Sequence, residues 1–154
     1  MKSTAIVVTL ASLALLTVAN AQDVRRTPLR QDHPLLGVWR IDFPDQKCFE
    51  EYEIRADGTK LSQSAEERNE SAFEISAEPT PRGFFKWTDR ITTNNGKPDC
   101  GGSLTPLGHV AVIFIRLHPS GQGFVLCEAE DMKTCFAEFY RKSRGVALSP
   151  RPAP

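Results

Sequence analysis

Leu36-Gly37-Val38-Trp39-Arg40-Ile41-Asp42 is the stretch whose reading decides the fold. It is the first segment that reads as structure rather than as address or tether. Gly37, with no Cβ, lets another piece of backbone come close. Trp39 is large enough to close the bottom of a small core. The segment predicts a first strand over about Gly37–Phe43 and, with it, an all-β domain.

Working outward, the second strand covers about Lys47–Ala56 and ends at Asp57-Gly58. Asp-Gly between two alternating runs signals a two-residue type I′ hairpin. That turn sets Ala56 opposite Thr59, Ile54 opposite Leu61 and Tyr52 opposite Gln63. Cys48, Tyr52 and Ile54 then share an inward face, with Glu51, Glu53, Arg55 and Lys60 outside. Two residues misfit: Phe49 falls on the outer face and Glu50 on the inner one. Glu66-Glu67-Arg68-Asn69-Glu70 reads as a charged connection, and Phe73–Ala77 as a half-buried strand. Gly83–Thr93 is the next strand, with Phe85, Trp87 and Ile91 on one face and Phe84, Lys86, Thr88 and Arg90 on the other. Asn94–Gly102 is turn chemistry throughout. His109–His118 is the most apolar later run: Ala111, Ile113, Ile115 and Leu117 make one face, Val110, Val112 and Phe114 the other. Such a strand predicts an outer cover, from the N-terminal segment or a second subunit. Phe124–Ala129 and Lys133–Lys142 form a last hairpin. The sum is about eight short antiparallel strands and no long amphipathic helix, the pattern of a meander barrel.

The ends bound the compartment. Residues 1–21 carry one lysine, an uncharged Ala/Val/Leu/Ile run and Ala19-Asn20-Ala21. This is the form of a cleaved secretory signal, and the run is short for a membrane span. Residues 22–35 are a polar lead-in with two prolines, in which Pro34-Leu35-Leu36 can tuck under the domain. The barrel domain covers 36–142, and 143–154 reads as a disordered Pro-rich tail. Basic and acidic residues balance at 19 each. That gives no reason to expect nucleic acid as partner, and no later run is long enough to span a bilayer. The expected address is secreted or periplasmic.

Cys48, Cys100, Cys127 and Cys135 are an even set in an exported chain, which reads as two disulfides. A three-residue loop Glu130-Asp131-Met132 sets Cys127 opposite Cys135, which leaves Cys48 for Cys100. The scattered His33, His109 and His118 and the absence of Cys-x-x-Cys give no metal site. No cofactor is implied.

Gly37-x-Trp39 near the start of the domain, about eight meandering strands and Arg141 on the last one resemble the lipocalin and calycin group. That resemblance implies an up-and-down barrel with Trp39 across its floor and Arg141 packed over the indole. A guanidinium over an indole is a favourable cation–π contact. The likeness covers about residues 36–142.

Function is read from what the faces offer. Tyr52, Phe85, Trp87, Ile113 and Ile115, all inward, are the candidates to line a site for a small apolar or amphipathic ligand. The alternative is a protein-binding module, an inhibitor, immunity protein or envelope-assembly subunit. Its contact would be the 94–102 loop or the outer face of Val110, Val112 and Phe114, and its partner another protein or a second copy. No catalytic residues are expected: Ser103 lacks a nucleophile elbow. Glu50 and Asp89, both inward, are the one acid pair that could act on a sugar. The plainer reading pairs them with Arg90, Arg116 or Lys86, or brings them to the barrel mouth. Asn69-Glu70-Ser71 matches a glycosylation sequon.

Overall fold

Eight runs of alternating inward and outward side chains form eight strands in the computed structural model, which describes residues 25–142. The expected signal and tail lie outside these residues. In order, β1 is Gly37–Phe43, β2 Cys48–Ile54, β3 Thr59–Ser64, β4 Glu67–Ile75, β5 Phe85–Asn94, β6 Val110–Leu117, β7 Gly123–Cys127 and β8 Cys135–Arg141. Each pairs antiparallel with the next, and β1 closes on β8. Closure is brief: Trp39 faces Arg141 and Arg40 faces Tyr140, with the Lys142 N–H donating to Val38 O at 2.9 Å. It still removes the two free edges an open sheet would expose.

Inward positions divide the barrel into two layers. The floor is apolar. Trp39, Phe73, Trp87, Ile115, Phe124, Leu126 and Phe139 are buried there, joined from below by Leu29 and Leu35 of the lead-in. The lead-in is held by backbone pairs, Thr27 N to Phe73 O and Leu29 N to Ala56 O, both 2.9 Å. The upper layer is polar: Lys60, Ser64, Glu67, Asn69, Ser71 and Asp89 are all buried.

The β2–β3 register differs from the expected one. Arg55 N donates to Thr59 O, and the turn takes three residues, Ala56-Asp57-Gly58, with Gly58 at φ +81°. Asp57 Oδ1 braces it by accepting from the Thr59 N–H and Oγ. Ile54 therefore faces Lys60, and Tyr52 faces Ser62. A shift of one residue turns a strand over, so Lys60 points into the barrel rather than to water. The expected charged connection is also a correction. Glu67–Glu70 is the first half of β4, with Glu67 and Asn69 directed inward to polar partners. In the last hairpin Cys127 does face Cys135, but a bulge after Leu126 sets Leu126 opposite Ala137 and leaves Phe136 exposed.

Both disulfides form as paired above, Cys48–Cys100 and Cys127–Cys135. The outer face of β6 is covered at one end only. Phe114 packs with Phe84, Val125 and the Cys127–Cys135 bridge in a second small core, while Val110 and Val112 stay exposed. The lead-in covers the floor instead. Among the described residues no helix is long and apolar enough to cross a membrane.

Candidate functional site

The five inward candidates sit where the strands were expected to put them, but the space between them is taken. Phe124 meets Trp39 edge-on at 4.9 Å and stacks on Phe139 at 5.4 Å; Phe139 stacks on Tyr52 at 4.3 Å. Trp87 stacks on Phe73 at 4.2 Å. Ile113 and Ile115 face Trp87 and Phe85 across the β5–β6 pair. The gap left among Tyr52, Lys60, Trp87 and Ile115 measures about 10 Å³. That is room for one water at most. The Trp87 Nε1–H is buried without a partner.

At the floor, the Arg141 guanidinium lies 4.1 Å from the Trp39 ring, while its two Nη groups donate to Leu36 O and Pro34 O at 2.8 Å each. Trp39 Nε1 donates to Leu35 O at 2.7 Å. Gly37, at φ +119°, is needed because a Cβ there would stand 2.8 Å from Arg141 Nη1. This part of the molecule is architecture, with every polar atom named here satisfied.

The polar layer above is a closed network. Lys60 Nζ pairs with Asp89 Oδ2, which also accepts from Ser71 Oγ at 3.1 Å, and the ammonium lies 4.5 Å over the Tyr52 ring. Asp89 thus pairs with Lys60 rather than with Lys86, Arg90 or Arg116. The outward register expected for Lys60 hid this partner. Glu50 Oε1 accepts from Ser64 Oγ at 3.0 Å, which in turn accepts from the Cys100 N–H at 3.0 Å. Burial raises the Glu50 carboxyl above its ordinary value, and the Ser64 hydrogen bond only partly opposes this. Burial, then the Glu50 charge, pushes the Tyr52 hydroxyl well up. Both inward acids are engaged by protein groups. The outer-face misfit, Phe49, lies 3.8 Å under the Arg40 guanidinium. The sequon is strand, not loop: Asn69 and Ser71 are buried, and Asn69 Oδ1 accepts from Asn94 Nδ2. Among the described residues no cluster of His, Cys, Asp and Glu could hold a metal.

The barrel's upper end carries the long connection between β5 and β6, residues 95–109. It is fixed at several points. Cys100 is bonded to Cys48 at the start of β2. Glu67 N donates to Pro98 O, and Glu67 Oε1 accepts from Thr105 N and Asn94 Nδ2. Asp99 Oδ1 gathers the N–H groups of Gly101 and Ser103 at 2.8 Å. Gly108 N and His109 O then pair with Ile91. Despite this anchoring Leu104 and Leu107 are 63% and 69% exposed, and the next outward residues, Val110 and Val112, are 42% and 50% exposed. Sequence reading found the loop and its cysteine. It missed Leu104 and Leu107, which stand just past the Gly/Asn/Pro-rich stretch.

The class these features define is a closed eight-stranded antiparallel meander barrel with a filled interior and a disulfide-pinned loop at one end. No family model, curated protein or solved structure matches the chain.

Proposed function

We propose that this chain is an exported, lipocalin-like barrel that acts by binding another protein through the pinned 95–109 connection and the adjoining outer face of β6. The observation that carries the reading is the connection itself. It is held by a disulfide, a buried glutamate and a set of backbone bonds, yet it turns two leucines to solvent. A pre-ordered loop loses little entropy on docking, and exposed aliphatics supply the core of a contact. The filled interior speaks against the carrier reading, since a bound apolar molecule would first have to displace stacked aromatic rings. Export is supported by the signal-like first 21 residues and by two disulfides. Kinship with the lipocalin and calycin group is supported by the strand order and by the Gly37, Trp39 and Arg141 floor.

The test is cross-linking mass spectrometry of the purified protein mixed with the exported fraction of its host, beside native mass spectrometry of the protein alone. The expected result is protein cross-links at residues 94–112, lost in Leu104→Asp/Leu107→Asp, and no small-molecule adduct. A stoichiometric adduct, or cross-links indifferent to the double substitution, overturns the reading.

A further inference from the structure

Charge is segregated on the barrel wall. The outward side chains of β5 along its pairing with β6 are Lys86, Thr88 and Arg90; those of β6 are Val110, Val112, Phe114 and Arg116. Lys86 stands opposite Phe114, Thr88 opposite Val112 and Arg90 opposite Val110. Neither strand has an outward acid, in a chain with 19 of each sign. Elsewhere several cations are matched, though Arg68 on β4 donates to the Ala65 and Glu67 carbonyls instead. Arg40 pairs with Asp42 at 2.7 Å, Arg55 with Glu53 at 2.9 Å, Lys142 with Glu51 at 2.6 Å, and His118 with Glu138 at 2.8 Å. Among the described residues Lys86, Arg90 and Arg116 make no ion pair. Arg90 Nε is buried without an acceptor, and Arg116 is steadied 5.6 Å from the Phe84 ring. The nearest acid in register is Glu74 on β4, opposite Thr88, exposed and, among the described residues, in no ion pair, and Glu130 and Asp131 line the same surface hollow as Arg116.

We infer that the β5–β6 wall receives an acidic protein surface, one whose carboxylates meet Lys86, Arg90 and Arg116 around an aliphatic centre on Val110 and Val112. This rests on the protein-binding reading above and adds the chemistry of the partner. Cations held without a direct ion pair beside exposed valines are free to engage carboxylates that a partner supplies. The charges then set encounter rate and register while the apolar centre holds the contact. Arginine forks match carboxylates two bonds at a time, and strands hold them at fixed spacing. A lipid surface fits less well: short valines flush with a sheet do not reach the several ångströms into the acyl boundary that apolar anchoring needs.

The experiment measures binding of the purified protein to immobilised poly-L-glutamate, as a defined acidic polypeptide, and to phosphatidylglycerol/phosphatidylcholine vesicles. Poly-L-glutamate should bind, weaken by about tenfold or more from low to high salt, and lose at least about tenfold in Lys86→Glu/Arg90→Glu/Arg116→Glu. The charge-matched control Arg25→Glu/Lys47→Glu/Lys133→Glu should retain binding. Circular dichroism melts check that each variant is folded, and Lys86→Gln/Arg116→Gln replaces the triple variant if it is not. Absence of binding, equal loss in the control, or preference for the vesicles overturns the inference. Retained loop cross-links to a protein whose capture ignores the wall variants sinks this inference alone. Absence of any protein cross-link sinks the protein-binding reading and this inference with it.

Discussion

Arg141 shows how one side chain can lock a floor. Its fork donates to two carbonyls of the lead-in while its plane covers Trp39, so chain entry, barrel end and last strand meet at one guanidinium. Lysine keeps the charge but loses the fork and the stacking plane. Arg141→Lys should cost about 1–2 kcal/mol, read as a lower urea midpoint with an unchanged slope. Glu50 tests the opposite end. Its carboxyl titrates above the ordinary 4.5 because burial disfavours the charge. With the folded value raised, the contribution to stability is fully present below the unfolded value. It is lost as pH rises through the folded value, because the folded state holds its proton longer. Glu50→Gln keeps an acceptor for Ser64 and removes the charge. Urea midpoints taken across that range should fall with pH for the parent more than for the variant, and near neutrality the variant should be the more stable.

At the level of elements, legibility followed the strength of local alternation. β1 and its tryptophan were readable because glycine, a strand period and one large ring leave few alternatives. The last hairpin was readable at its cysteines, though not beyond, since no local signal announces the bulge that turns Phe136 out. β4 was not readable: Glu67 and Asn69 look like loop until the partners on Asn94 and Thr105 are known, and those lie more than twenty residues away. The β2–β3 turn is one residue longer than the sequence predicts, because Asp-Gly serves a three-residue turn with a left-handed glycine as readily as a two-residue one. That slip hid the Lys60–Asp89 pair, which ties β3 to β5 through the interior. Removing only the cation leaves a buried carboxylate with Ser71 alone. Lys60→Met should cost about 3–5 kcal/mol, and Lys60→Met/Asp89→Leu should recover most of it, because an apolar pair carries no desolvation penalty. Thermal melts of the two variants check this. An unrecovered double variant would mean that the pair also fixes the register.

For the whole molecule, the two disulfides divide the work. Cys127–Cys135 closes a short hairpin whose strands already pair, with a separation of 8 residues. Cys48–Cys100 spans 52 residues and fastens the long connection to β2, at the end of the barrel opposite the Trp39 floor. Loop-closure entropy assigns about 2.5 kcal/mol to the first and about 4 kcal/mol to the second. The paired serine variants should therefore separate in stability, Cys48→Ser/Cys100→Ser unfolding at the lower urea concentration. They should separate in dynamics as well. β5 and β6 remain joined by six register pairs and the floor by its own core, so loss of Cys48–Cys100 should loosen residues 95–109 first. Amide exchange should accelerate at Cys100, Gly101 and Ser103 while Trp39, Phe124 and Phe139 stay protected. Loss of Cys127–Cys135 should instead speed exchange around residues 128–134. If both variants lost protection evenly across the barrel, the connection would be part of the cooperative fold. The idea that it is a separately anchored platform would then fail.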